Sequence, residues 1–161
     1  MGVIAMAVLV PLASESGARQ QPVTVELKGC CTAKILSAKR ARTWEGATDR
    51  GFTVKSAPEG RDFIVVKYEL TPAVATESLA LQYSKLEDAK GETYFATGGS
   101  QGVRTDSRAK VVDQFFSVPA GNRPTALLLG RFGPPPKPGE PSDWILVHRV
   151  DLRKVPVTFE K

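Results

Sequence analysis

Histidine is almost absent: the chain holds one, His148, and its two cysteines are the adjacent pair Cys30 and Cys31. That supply removes zinc clusters and histidine-based triads, which need several such side chains to converge. There is no glycine-rich phosphate loop, the strongest short signal for nucleotide chemistry, and no HExxH. Aromatic residues are sparse at 7%. Beyond residue 18 no apolar run approaches the roughly 20 residues that cross a bilayer as a helix, so no transmembrane span is expected in the mature chain. Nowhere does a 3.6-residue apolar period persist for about ten positions. What is present is a 161-residue chain, 42% hydrophobic and 24% charged, the size of one globular domain. Such a chain buries a core without disulfide staples.

The first eighteen residues differ from the rest. Val3 to Leu12 (VIAMAVLVPL) is nearly all apolar, and Ala13, Ser14, Ser16, Gly17 and Ala18 follow. The run has the length of a signal-peptide h-region, and a cut after Ala18 places small residues at the cleavage positions. Residues 1–18 therefore read as a leader and 19–161 as the domain, secreted or periplasmic. The leader's start carries no Lys or Arg, and the competing reading makes Val3–Leu12 a core strand. Formal charge is +5, rising to +6 without a leader that holds Glu15 and no basic residue.

Elsewhere the chain reads as short strands. Val23–Lys28 alternates cleanly, and Thr32–Ala41 alternates more weakly. Glu45–Arg61 reads as a long polar connection with a short edge strand at Phe52–Val54. Asp62–Leu70 is the strongest strand: Ile64, Val66, Tyr68 and Leu70 share one face, and Phe63, Val65, Lys67 and Glu69 the other. Leu79, Leu81 and Tyr83 alternate next. Leu86–Phe95 reads as a hairpin around Ala89–Glu92, and Ala96–Lys110 as a loop. Val111–Val118 is a strand, Pro119–Asn122 a turn, and Thr125–Phe132 an apolar strand. Trp144–Leu152 puts Trp144, Leu146, His148, Val150 and Leu152 on one face, and Val155–Phe159 is a short tail strand. This grammar predicts an all-β fold, an immunoglobulin-like antiparallel β-sandwich of about seven to nine strands. A closed barrel is the competing architecture, and the uneven loops favour the sandwich.

Four segments carry a family resemblance: Phe63–Leu70 (FIVVKYEL), Lys85–Tyr94 (KLEDAKGETY), Phe115–Pro119 (FFSVP) and Thr125–Leu129 (TALLL). Their order resembles the DUF4352 type of immunoglobulin-like domain in exported bacterial proteins. That family is sometimes labelled with the telomeric repeat-binding factor name and is related to a secreted mycobacterial immunogenic protein. The likeness spans about residues 23–132 and implies a sandwich outside the cytoplasm with no catalytic residues to carry over. The long loop before Val111 and the proline-rich loop after Phe132 depart from the pattern.

Few residues offer chemistry. Lys39, Arg40 and Arg42 form one dense basic patch beside Trp44, a set that can bind phosphates or sit as a solvated strand end. Gly133–Pro141 holds five prolines, among them Pro134, Pro135, Pro136 and Pro138; it fits a stiff connection or a polyproline segment offered to a partner. Glu87, Asp88 and Glu92 surround a tight turn without a calcium-loop spacing. Cys30 and Cys31 read as two small half-buried residues, because bridging neighbours strains normal disulfide geometry. The expected function is an exported, non-catalytic binding or interaction module, with another exported or envelope protein as partner, no nucleic acid and no cofactor. The competing reading is a thiol-dependent redox or accessory enzyme acting through Cys30 and Cys31.

Overall fold

The strongest strand of the sequence lies in the middle of the larger sheet. β5 (Arg61–Pro72) pairs antiparallel with β2 (Cys31–Ala41) on one side and β10 (Lys110–Pro119) on the other. β1 (Val23–Leu27) adds to the far edge of β2. The computed structural model describes residues 22–27, 31–48, 50–72, 84–100, 103–104, 109–155 and 157–158. The leader, Cys30, the Leu79–Tyr83 alternation and Phe159 lie outside the described residues.

The second sheet takes β6 (Lys85–Asp88), β7 (Thr93–Phe95), β11 (Pro124–Phe132) and β12 (Trp144–Asp151) in the order β12-β11-β6-β7. Period-two geometry explains how the sheets meet. Ile64, Val66 and Tyr68 of β5, with Phe116 and Val118 of β10, point inward against Leu86, Leu127, Leu129 and Val150. Leu152, in a short 3-10 turn after β12, closes one end. Each such apolar side chain contributes about 1.5–3 kcal/mol on burial. The expected turns form as read: Gly121 in Pro119–Asn122 has φ 75° and Gly91 in the β6–β7 hairpin has φ 82°. Both angles suit a residue without Cβ.

The fold is an all-β sandwich, and no α-helix occurs among the described residues. The sheets are antiparallel except where β13 (Val157–Thr158), the tail strand, joins β2 in parallel. Leaving aside the two-residue strands and one accessory hairpin, eight strands remain among the described residues, within the expected number.

Three expectations are corrected. Glu45–Arg61 is not a long connection, because most of it belongs to a hairpin: β3 (Thr43–Thr48) and β4 (Gly51–Ser56) pair along their full length. The Ala57 N–H donates to the Arg42 carbonyl at 2.8 Å and closes the hairpin's base. Ala96–Lys110 is not wholly loop, since β8 (Gly98–Gly99) and β9 (Val103–Arg104) both pair with β10. The single face expected for Trp144–Leu152 divides: His148 and Val150 pair with inward Leu129 and Leu127, whereas Trp144 and Leu146 pair with Phe132 and Gly130 on the outer side. The β11–β12 register shifts between Leu129 and Gly130, so alternation breaks inside β12, and its edge position leaves His148 exposed.

The hairpin covers the outer face of the first sheet. Phe63, Val65 and Phe115 point away from the sandwich interior and pack with Trp44 and Ala57 into a second cluster. The Trp44 and Phe115 rings lie 4.7 Å apart, and Phe63 and Phe115 lie 4.8 Å apart. Gly46 is what lets the indole lie along its own strand, for a Cβ there would fall inside the Trp44 ring. The chain thus has three layers at this end, where two were expected.

Candidate functional site

The strand registers write out the outer face row by row. Ser37, Lys67 and Asp113 stand opposite one another across β2, β5 and β10. Lys39, Val65 and Phe115 form the next row, and Ala41, Phe63 and Ser117 the third. The hairpin lays Trp44 over the apolar side chains of the second and third rows. Where its cover ends, a cleft of about 430 Å³ opens, lined by Ser37, Lys39, Trp44, Glu45, Lys67 and Asp113 among others. Such a volume lies within the usual range for small-molecule sites, roughly 300–1,000 Å³.

The cleft's polar groups are incompletely paired. Lys67 Nζ lies 3.9 Å from Asp113 Oδ1, an ion pair without a hydrogen bond. Asp113 Oδ1 is buried and accepts no hydrogen bond among the described residues, and the buried Trp44 Nε1–H likewise donates none. Neither Lys39 nor Glu45 forms an ion pair among the described residues. A buried polar atom left unpaired is costly and rare in a native structure.

The basic patch does not act as one unit. Lys39 and Trp44 reach the cleft, whereas Arg40 points to the opposite face and pairs with Asp62. Arg40 also donates to the Asn122 carbonyl, and Arg42 donates to the Arg61 carbonyl and lies 3.4 Å from Asp62 Oδ1. Asp62 further accepts the Gly121 N–H at 3.2 Å. Neighbours in sequence serve opposite faces because successive strand side chains alternate. Two of the three cations therefore clamp one end of the sandwich.

The clamp continues across both sheets. Asn122 Nδ2 donates to Asp88 Oδ2 at 2.7 Å, and Asp88 Oδ1 accepts the N–H groups of Lys90 and Glu92. Tyr94 OH meets Glu92 at 2.7 Å and Asp88 at 3.2 Å. The Glu92 carboxylate, burial and the nearby Asp88 push the Tyr94 phenol up to about 12. Glu87 is engaged by Arg149. The acidic turn is thus occupied with holding its own hairpin, and no group suited to a metal occurs among the described residues.

These carboxylates set an acid limit. Burial works to raise Asp62, but the hydrogen bonds of Arg40, Gly121 and Arg42 and the Arg40 charge outweigh it and bring it below its ordinary value. Burial is likewise outweighed at Asp88, by Asn122, the Lys90 and Glu92 N–H groups and Tyr94. Arg153 holds Asp151 down to about 2. A carboxyl whose folded pKa is depressed contributes its full stabilisation above the unfolded value and loses it as pH falls through the folded one. Urea midpoints should therefore agree at pH 8 and pH 5 and fall below about pH 4, near the ordinary Asp value. A midpoint that drops between pH 8 and 5 contradicts this assignment.

The remaining sequence candidates lie elsewhere. Pro134, Pro135, Pro136 and Pro138 are exposed in the β11–β12 connection, which is tied at its base by the Gly133 N–H to the Asp143 carbonyl at 2.8 Å. Cys31 is buried and disulfide-bonded, which corrects the expectation of a small free thiol. Gly98–Gly102 also spells GxSxG. In a hydrolase that serine stands on a turn between a strand and a helix. Here Ser100 sits beside the edge of β10, where its Oγ accepts the Asp113 N–H at 2.9 Å. Gly98 serves close approach, since a Cβ there would come within 2.7 Å of the Phe115 ring.

An aromatic surface lies on the outer face of the second sheet. Lys85 Nζ sits 4.3 Å from the Phe95 ring centroid and 4.1 Å from that of Trp144, and Phe95 stacks with Phe132 at 6.4 Å. Gly130 makes room for the Trp144 indole, which a Cβ there would overlap. Strand pairing sets Phe132 beside Trp144 at the base of the proline-rich connection.

Comparison of the chain with protein-family models, with curated proteins and with solved structures found no match.

Proposed function

We propose that this chain is an exported, non-catalytic binding module of the DUF4352-like immunoglobulin type, and that its ligand sits in the cleft beside Trp44. The observation that carries the reading is the accessory hairpin. β3 and β4 add nothing to the sandwich interior, yet they wall a cleft whose polar groups are incompletely paired. A rigid sandwich with function placed on an added layer is a common division of labour, and function is argued from the site rather than the fold. The leader-like Val3–Leu12 run supports export.

The test is a titration of the full chain with a small-molecule library, followed by amide chemical shifts. Binding should move the signals of Ser37, Lys39, Trp44, Lys67 and Asp113 in a saturable way. A ligand that moves only the β11–β12 connection, or a library that leaves the cleft signals still, contradicts the proposal.

A further inference from the structure

The cleft's charges narrow the ligand, if the module reading holds. Lys39 and Lys67 supply two ammonium groups and Asp113 a carboxylate, while Glu45, which alternates with the buried Trp44 on β3, stands at the rim. A polyanion would meet the Asp113 carboxylate, and a polycation the two lysines. Lys39 and Glu45 have no ionic partner among the described residues, and Lys67 and Asp113 stand 3.9 Å apart, too far for a hydrogen bond. Each sign therefore has bonding capacity left. Lys39 and Lys67 stand on adjacent strands one row apart, so their ammonium groups can converge on one anionic group. Asp113 lies in the same row as Lys67, on its other side.

Sugars fit this lining less well. A sugar ring binds best with a free aromatic face to stack on, and Trp44, the aromatic residue in the lining, is only 4% exposed, its ring packed on Phe115. Val65 contributes an apolar floor. We infer that the cleft takes a zwitterionic small molecule of the amino-acid type. Its carboxylate lies between Lys39 and Lys67, its ammonium faces Asp113, and its side chain rests on Val65. Charge-assisted bonds of this kind are about twice as strong as neutral ones, which gives a basis for selecting a zwitterion over its blocked forms.

The experiment titrates the full chain with leucine, N-acetylleucine, leucinamide and glucose, and reads amide shifts at Lys39, Glu45, Lys67 and Asp113. Leucine should saturate these shifts, and each blocked derivative should bind about ten-fold more weakly or worse, since each loses one charge-assisted contact. Lys39→Gln should erase most of the preference for leucine over leucinamide. Asp113→Asn should weaken the preference over N-acetylleucine. Lys39 is exposed and Asp113 half-buried, and unchanged signals from β6 and β11 will report an intact sandwich in the variants. The inference is overturned if leucine and its blocked forms bind alike, or if glucose binds and leucine does not; the module reading then survives with another ligand. If no compound moves the cleft signals in this series or in the wider library, both readings fall.

Discussion

Phe116→Ala is expected to lose about 3–5 kcal/mol of stability, the usual cost of emptying a fully buried aromatic site. Its neighbour behaves differently. Phe116 lies in the sandwich interior on central β10, whereas Phe115 lies on the outer face beneath Trp44. Phe115→Ala should release the hairpin and leave the two-sheet sandwich folded. In urea unfolding, Phe116→Ala should lower the midpoint of every probe together. In Phe115→Ala, Trp44 emission should shift to the red and amide protection should fall in β3 and β4, while β5 and β11 stay protected. Global unfolding of Phe115→Ala under native conditions, or an undisturbed Trp44, would refute the third layer as an independent unit.

The second large effect is at Asp62. The residue is 8% exposed and accepts from Arg40, Arg42 and the Gly121 N–H. Asp62→Ala leaves the Arg40 guanidinium, itself only 17% exposed, over a vacated acceptor. Breaking a buried ion pair from one side costs about 3–5 kcal/mol; partial exposure here brings the expectation to about 2–3 kcal/mol. A domain of this length should then melt roughly 5–10 °C lower. Replacing both partners, with Arg40→Met and Asp62→Leu together, should cost less than the two single changes added, because no charge is stranded. Additive losses in that double-mutant cycle would mean that Arg40 and Asp62 act separately.

The acid limit, the clamp and the cleft share one origin. On each strand of the first sheet, alternate residues serve the sandwich and the outer layer. Lys39 and Trp44 contribute to the cleft; Arg40 and Asp62 contribute to the clamp. A mutation one position along β2 therefore changes a different property. Lys39→Gln alters the cleft lining, whereas a change at Arg40 alters the clamp on Asp62.

Period-two patterning made the interior of the sandwich legible. Ile64, Val66 and Tyr68 could be placed on one face from the sequence, and so could Phe116 with Val118. The turns at Ala89–Glu92 and Pro119–Asn122 were legible too, because glycine at a left-handed position and a polar neighbour are local chemistry. The site was half legible: Lys39 and Trp44 stood out, but in a patch with Arg40 and Arg42 that the fold divides. Nothing in the neighbourhood of Arg40 shows that its partner is Asp62, 22 residues away.

The sequence by itself determined the strand class, the inward faces and the tight turns, since these follow from alternation and backbone preference within a few residues. Tertiary structure alone decided that Glu45–Arg61 folds back as a third layer, that Lys39 and Lys67 meet Asp113 in one cleft, and that His148 faces solvent. Those outcomes depend on register between strands far apart in the chain. A shift of one residue reverses which side chains face which layer, and that choice is made by the sum of the packing rather than by any local pattern.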